Sequence, residues 1–257
     1  MSQLTNKNSE NLTLTLESIG GENPYMYIAF QLGFAEQMLE QINIYKSGNR
    51  SAQSYRDLID WEIENYNKSF YKKFKRFPVK GDLESMLPDS KILPQALKTV
   101  PQLISQNKAV YVLSSGFREL VIPVVGTLGL PPKNVYANYF EYDPGNGKLV
   151  DVKINVSGNK ISALDKIIKK QQVDPTNVSY IGDNDWDVAA MKHLLTLGGI
   201  VYYLHKPDYT KLFPISDNFV LEHSNFNVIQ SITDLLSNDS QCSCYIFDAD
   251  GVLIDIE

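Results

Sequence analysis

The sequence lacks any apolar run close to the roughly 20 residues that a helix needs to cross a bilayer. Its first residues, MSQLTNKNSE, also lack the basic patch and apolar stretch of a secretory signal. We therefore expect a cytoplasmic protein with no membrane partner. Lysine and arginine number 24 against 30 aspartates and glutamates, for a formal charge of -6. Because a nucleic-acid-binding protein usually carries a basic face, this balance argues against nucleic acid as a partner.

Cysteine is equally scarce. The two cysteines, Cys242 and Cys244, are separated by one residue, which is poor geometry for a disulfide and offers too few ligands for a zinc site. We expect reduced thiols in a linker of a cytosolic protein. With 43% hydrophobic and 21% charged residues in a chain of 257, the composition is that of an ordinary globular protein. The length allows one large domain, or a core domain with a smaller companion.

The first third of the sequence predicts helices. Residues 1–23 are polar, and we expect them to be flexible. Within them, the alternation at 12–16 predicts a short flap strand. Apolar residues then recur at intervals of three and four over 24–47 and 51–74, which predicts two helices. We assign residues 24–90 to a small helical cap.

From residue 91 onward, apolar segments alternate with helical patterns. The predicted strands lie at 109–113, 134–137, 178–181, 199–204 and 244–247. The predicted helices lie at 94–106, 117–128, 160–171, 188–195 and 228–236. Continuously apolar strands that alternate with helices are typical of a parallel sheet covered on both faces, so residues 91–257 predict a three-layer, Rossmann-like α/β core. In such sheets the active site lies at the carboxyl ends of the strands.

Three of the predicted strands run directly into polar clusters. These clusters are Asp248-Ala249-Asp250, Ser114-Ser115-Gly116 and the acidic stretch 182–187. A single Asp-Gly after a strand is usually a turn. Three clusters at one edge of a sheet, however, concentrate carboxylates that repel one another unless a cation lies among them. Oxygen ligands favour a hard ion, so the sequence predicts a magnesium site.

At these residues the sequence resembles the haloacid dehalogenase superfamily of phosphohydrolases. The segments similar to its four motifs are, in the family's order, 247–253, 112–117, Lys160 and 182–187. The stretch 114–150, which includes Asn138, is most similar to the phosphoserine-phosphatase branch. The resemblance covers residues 91–255 apart from the linker, and it does not extend into the helices of 24–74.

The resemblance implies a phosphomonoester hydrolase that acts on a small phosphorylated metabolite through an aspartyl-phosphate intermediate. Asp248 is the expected nucleophile, because an ionised carboxylate attacks phosphorus without a base to activate it. Asp250 is expected to protonate the leaving oxygen and later to deprotonate the attacking water. The dehalogenases of the superfamily lack an acid at this position, so Asp250 favours phosphate over halide chemistry.

The other expected site residues bind phosphate and metal. The expected phosphate-binding residues are Ser114, Ser115, Gly116 and Lys160. Ser114 is expected to donate a hydrogen bond to a phosphoryl oxygen, and Lys160 to offset negative charge. The expected magnesium ligands are Asp183, Asp187, Asp248 and the carbonyl of Asp250. Asp187 is either a ligand or the residue that orients Lys160.

Several alternatives remain open from the sequence. Lys160 begins an amphipathic helix and is also a candidate for a solvated surface lysine. Ser114 is also a candidate for a helix cap, and Asp185 for an exposed loop acid. Trp186 stands where phosphoserine phosphatases usually have asparagine, and Ser115 where they have glycine. The enzymatic rival is a phosphotransferase such as a phosphomutase, and the non-enzymatic rival is a binding module that keeps the fold without the activity.

The order of the motifs departs from that of the family, in which the first motif opens the chain. Here it follows the others, which predicts a circular permutation with the nucleophile strand at the C-terminal end. The linker 238–243 would then join this strand to the helix at 228–236. The alternation at 254–256 and 12–16 predicts that these segments pair. The competing explanations are a second unit that begins with this motif, or a strand that completes the site of a neighbouring molecule.

Overall fold

The computed structural model describes residues 24–49, 51–86, 91–183, 186–204, 225–238, 242–249 and 253–255. The segment 1–23, with the predicted flap strand, lies outside the described residues, as do Asp185 and Asp250. Within the described ranges, no helix combines the length and the apolar character that a membrane crossing requires.

Three helices open the described chain and form what we call the helical unit. They are α1 (Pro24–Leu32), α2 (Ala35–Ser47) and α3 (Ala52–Phe74). The prediction of one continuous helix over 24–47 was wrong, because the chain breaks at Gly33. This residue has a φ of 81°, in the left-handed region that glycine enters without a steric penalty. α3 begins after Ser51, whose hydroxyl caps the helix by accepting from the Ser54 N–H.

The strands of the core form a seven-stranded sheet. The described strands are β1 (Lys91–Ile92), β2 (Ala109–Phe117), β3 (Val135–Tyr142), β4 (Leu149–Lys153), β5 (Val178–Gly182), β6 (Ile200–Leu204), β7 (Asn227–Ile229), β8 (Cys244–Phe247) and β9 (Ile254–Asp255). The order across the large sheet is β4-β3-β2-β8-β5-β6-β7, and among these described strands only the β3–β4 pair is antiparallel. β8 comes last in the chain among these seven, yet Tyr245 pairs with Val110 on one side and with Ser179 on the other. The strand that precedes Asp248 therefore lies in the middle of the sheet.

Helices cover both faces of this sheet. They are α4 (Pro94–Ser105), α5 (Arg118–Gly126), α6 (Ile161–Gln171), α7 (Val188–Thr196) and the short α8 (Leu235–Asn238). In β8, Tyr245 and Phe247 join the apolar cluster that contains α4 and α5. Cys244 and Ile246 join the cluster that contains α6 and α7. Because successive side chains of a strand point to opposite faces, both sides of β8 are buried, and the predicted three-layer α/β fold is confirmed.

Of two local predictions about the last segments, one was wrong and the other is untested. The helix predicted at 228–236 was wrong, because residues 227–229 pair with β6 as an edge strand. Helical structure begins only at Ile232, after Ser231 forms a capping box with Asp234. The strand at 254–255 pairs with β1. Its predicted pairing with 12–16 involves residues outside the described ranges and stays a prediction.

The helical unit packs on the β3–β4 hairpin and buries a carboxyl group beside it. Glu62 of α3 is 4% exposed, and its Oε2 has no hydrogen-bond partner among the described residues. Burial raises the pKa of Glu62 from 4.5 to about 8. At neutral pH the folded protein therefore retains a proton that the unfolded chain has released.

We expect the free energy of unfolding to fall between about pH 5 and pH 8 more steeply in the wild type than in Glu62→Gln. Below pH 4.5 both states bind the proton, and the stability it provides is lost as the pH rises through about 8. The linkage relation gives a loss of roughly 3 to 5 kcal/mol as an upper bound. Urea unfolding across this pH range measures it, with Glu64→Gln on the exposed side of the same helix as the control. Parallel pH dependences in the wild type and Glu62→Gln would contradict the expectation.

Candidate active site

The carboxyl ends of β2, β8 and β5 bring the predicted polar clusters to one edge of the sheet. The N–H of Asp248 donates to the carbonyl of Ile181 at 2.9 Å, which extends the pairing of β8 with β5 by one residue. This bond fixes the backbone position of Asp248 at the carboxyl end of β8. Asp248 is buried, and Asp183, which directly follows β5, is half-buried.

Lys160 joins two of the predicted acids. Its Nζ donates to Oδ1 of Asp187 and to Oδ1 of Asp248, each at 2.7 Å. Lys160 is 1% exposed, so the alternative of a solvated surface lysine was wrong. Burial lowers the pKa of Lys160, but the charges of the two carboxylates and their hydrogen bonds raise it by more. The side chain therefore stays an ammonium ion in the folded protein.

Asp187 accepts hydrogen bonds on both of its carboxylate oxygens. Oδ1 accepts from Lys160 and from the Tyr180 hydroxyl, the latter at 2.7 Å, and Oδ2 accepts from the Asp183 N–H at 3.2 Å. Gly182 makes room for this arrangement, because a Cβ there would lie 2.5 Å from the Asp187 carboxylate. These contacts correspond to the alternative in which Asp187 orients Lys160.

The acidic cluster fits a magnesium ion. One carboxylate oxygen from each of Asp183, Asp187 and Asp248 lies within 4.8 Å of the others. Ligands of octahedral Mg²⁺ at about 2.1 Å lie roughly 3 to 4 Å apart, so a small shift would bring these oxygens to ligand spacing. Three carboxylates and the Lys160 ammonium leave a formal charge of -2 at this point. A divalent cation would balance that charge.

The segment 114–116 bulges out of the sheet. Leu113 pairs with Tyr136 and Phe117 with Asn138, so four positions along β2 match two along β3. The Ser114 hydroxyl accepts from the Gly116 N–H at 2.9 Å, which closes a tight turn. α5 begins after Phe117 without a side-chain cap, so the helix-cap alternative for Ser114 was wrong. The serine O–H can still donate to a phosphoryl oxygen.

The helical unit reaches this edge of the sheet through aromatic contacts. The ring of Trp186 stacks on Tyr45 of α2 at 5.2 Å between centroids, and Tyr45 contacts Tyr55 of α3 at 5.8 Å. Gly158 lies beneath them, because a Cβ there would overlap the Tyr45 hydroxyl and lie 2.9 Å from the Trp186 ring. Trp186 therefore packs the acidic loop and the lysine-bearing segment against the helical unit.

Sequence reasoning missed two tyrosines that support the acidic loop. Besides the Tyr180 contact, the Tyr203 hydroxyl donates to the carbonyl of Asp183 at 2.9 Å. Both tyrosines lie in buried strands near the acidic loop, on the face covered by α6 and α7. Strand alternation was the signal that could have placed them on this face. Which group each hydroxyl contacts depends on how the strands are placed in the sheet, and the alternation does not predict it.

Comparisons with known proteins identify the family to which the chain belongs. The family model described as haloacid dehalogenase-like hydrolase matches residues 14–192, about 70% of the chain. The chain belongs to this family, as its motifs predicted. The match begins at residue 14, so the earlier exclusion of the helices at 24–74 from the resemblance was wrong.

Two curated relatives of the chain are phosphoserine phosphatases. Phosphoserine phosphatase of Drosophila melanogaster is 35% identical over 108 residues, which are 40% of this chain and 40% of that protein. The chloroplastic phosphoserine phosphatase of Arabidopsis thaliana is 31% identical over 106 residues, 40% of this chain and 35% of that protein. The chain thus spans 40% or less of the length of these curated relatives. The crystal structure of a phosphoserine phosphohydrolase-like protein from Francisella tularensis subsp. tularensis SCHU S4 has a TM-score of 0.48 and 19% identity, and covers 83% of this chain and 90% of that one.

Proposed function

We propose that the protein is a magnesium-dependent phosphomonoester hydrolase that acts on a small phosphorylated metabolite and forms an aspartyl phosphate on Asp248. One observation carries the proposal. At the carboxyl end of the central strand, Lys160 holds both Asp248 and Asp187 at 2.7 Å. This contact places a permanent positive charge beside a buried carboxylate, which favours its ionised, nucleophilic form.

The reaction proceeds in two displacements. A carboxylate oxygen of Asp248 bonds to phosphorus while the bond from phosphorus to the leaving oxygen breaks, and Asp250 gives that oxygen a proton. Water then attacks the phosphorus, and Asp250 takes its proton. Phosphate leaves and Asp248 is restored. The role of Asp250 rests on its motif, since this residue lies outside the described ranges.

The remaining residues stabilise charge. Bound Mg²⁺ supplies positive charge that offsets the phosphoryl group. The residues that would hold it are Asp183, Asp187, Asp248 and the carbonyl of Asp250, and Asp187 also orients Lys160. The segment 114–116 would receive the phosphoryl oxygens, with Ser114 as a donor.

Hydrolysis of p-nitrophenyl phosphate tests the proposal. We expect release of inorganic phosphate with Mg²⁺, a fall of about 100-fold or more in excess EDTA, and recovery when Mg²⁺ is restored in excess. A requirement for a sugar-bisphosphate activator would indicate a phosphomutase instead. No turnover of any ester in a panel of phosphorylated metabolites that includes O-phosphoserine would contradict the proposal. In an active protein, the ranking of kcat/KM across the panel identifies the substrate.

We also propose that the order of the motifs is a circular permutation. The support is that β8 pairs on both sides with strands of its own chain, β2 and β5, although it follows them in sequence. The family match ends at residue 192, before this strand. Mixing two inactive variants, Asp248→Asn and Asp183→Asn, distinguishes this from strand exchange. Restored turnover would require β8 of one molecule in the site of another and would contradict the proposal.

A further inference from the structure

We propose that Tyr55 and Asn138 are positioning residues that hold the segment 114–116 ready for the phosphoryl group. The inference rests on the proposed function, because it assigns these residues a role in the same site. Neither residue would touch the substrate. Both act through the main-chain carbonyl of Ser115.

This carbonyl receives two side-chain donors. The amide Nδ2 of Asn138 donates to it at 2.8 Å and the hydroxyl of Tyr55 at 3.2 Å. Tyr55 is 4% exposed and Asn138 is fully buried. Residues in a bulge lose their regular ladder partners, so a carbonyl there needs other donors. The two side chains supply them and thereby fix the orientation of the peptide that follows Ser115.

Asn138 extends the same support toward the lysine. Its Oδ1 accepts from the N–H groups of Asn155 and Val156, each at 2.9 Å. The segment that begins there reaches Lys160 four residues later. One buried amide therefore connects the segment 114–116 to the backbone segment that leads to Lys160. With its second Nδ2 donor bonded to the Tyr55 hydroxyl at 3.1 Å, Asn138 uses its full hydrogen-bonding capacity.

Tyr55 brings the helical unit into this network. Burial, together with the nearby Glu62 carboxyl group, raises the pKa of Tyr55, so its hydroxyl stays neutral. A neutral hydroxyl can donate to Ser115 while it accepts from Asn138. The ring of Tyr55 contacts Tyr45, which stacks on Trp186 beside the acidic loop. The helical unit thus contributes one of the two side chains that hold the segment 114–116 in place.

The substitution Tyr55→Phe tests this role by removing one hydroxyl and keeping the ring. We expect kcat/KM for p-nitrophenyl phosphate and the affinity for inorganic phosphate each to fall about tenfold. The affinity for Mg²⁺, measured by calorimetry, should not change, because the hydrogen bonds of Asp187 with Lys160, Tyr180 and Asp183 involve neither Tyr55 nor Asn138. The matched control is Tyr71→Phe, in the same helix but 49% exposed, which should change neither affinity. Equal losses in phosphate and Mg²⁺ affinity, or no loss in either, would overturn the inference.

A second variant separates positioning from packing at Asn138. Asn138→Asp keeps an acceptor oxygen but loses both donors while its carboxyl group is ionised. Asn138→Ala loses the acceptor and both donors. We expect the rate of Asn138→Asp relative to Asn138→Ala to rise as the pH falls, because a protonated carboxyl donates again. The acids of the site itself titrate in both variants and cancel in this ratio. A constant ratio would overturn the inference, whereas a wild type without phosphatase activity would overturn the proposed function and leave phosphate binding as the test of Tyr55.

Discussion

The Asp248→Asn substitution is expected to lower kcat for phosphomonoester hydrolysis by about 10⁴-fold or more while the fold persists. A neutral amide cannot attack phosphorus, and no group other than Asp248 is proposed as the nucleophile. The stability should not fall in the absence of Mg²⁺. Lys160 keeps its bond to Asp187, and the cluster of Asp183, Asp187 and Asp248 loses one of three mutually repelling charges. Phosphate release and the thermal midpoint measure the two effects.

A matched control is available in the helical unit. Asp57→Asn makes the same chemical change at an exposed position of α3 and should leave kcat within about twofold of the wild type. Radiolabelled phosphate from the substrate should be trapped on the acid-quenched wild type and not on Asp248→Asn. Equal turnover in Asp248→Asn and the wild type would refute Asp248 as the nucleophile.

Lys160→Met is expected to have the largest effect on stability. The substitution removes the cation that lies 2.7 Å from both Asp187 and Asp248, and these two acids are almost fully buried. Breaking a buried ion pair by removing one partner leaves an uncompensated charge and costs about 3 to 5 kcal/mol. Turnover should also fall about 100-fold or more, because the positive charge beside the nucleophile is lost. Urea unfolding and the rate of phosphate release measure these losses.

Three comparisons make this expectation specific to charge. Lys166 lies exposed in α6, the helix that begins directly after Lys160, and Lys166→Met should change stability by no more than about 0.5 kcal/mol. The double variant Lys160→Met/Asp187→Asn should be more stable than Lys160→Met, since one of the uncompensated charges is gone. Mg²⁺ should raise the thermal midpoint of Lys160→Met more than that of the wild type. A loss in Lys160→Met that neither Asp187→Asn nor Mg²⁺ reduces would indicate a packing effect and contradict the assignment.

The central position of β8 was predictable because the cue is local. The apolar run 244–247 is followed directly by an acid. The apolar runs before Ser114 and Asp183 are likewise followed by polar residues. Parallel strands in a sheet bring such ends to one edge. The errors in helix boundaries also have local causes. Gly33 ends the first helix although the apolar pattern continues beyond it, and the last helical segment begins only after Ser231 although its apolar pattern begins earlier. The boundary between a cap at 24–90 and a core from residue 91, the cytoplasmic location and the absence of nucleic acid as a partner stay predictions.

The resemblance implied that Lys160 offsets charge on the nucleophile and left Asp187 as either a metal ligand or its orienting residue, but whether one ammonium group contacts both acids was not predictable. The lysine is 27 residues from Asp187 and 88 from Asp248, and Tyr55 is 60 residues from Ser115. Hydrophobic periodicity and strand-end chemistry are properties of neighbouring residues, so the sequence by itself determined the α/β core, the family and the candidate acids. Only the tertiary structure decided which side chains share a buried hydrogen bond. Bonds such as those of Lys160, Asn138 and Tyr55 depend on ångström distances between segments that the chain order does not specify.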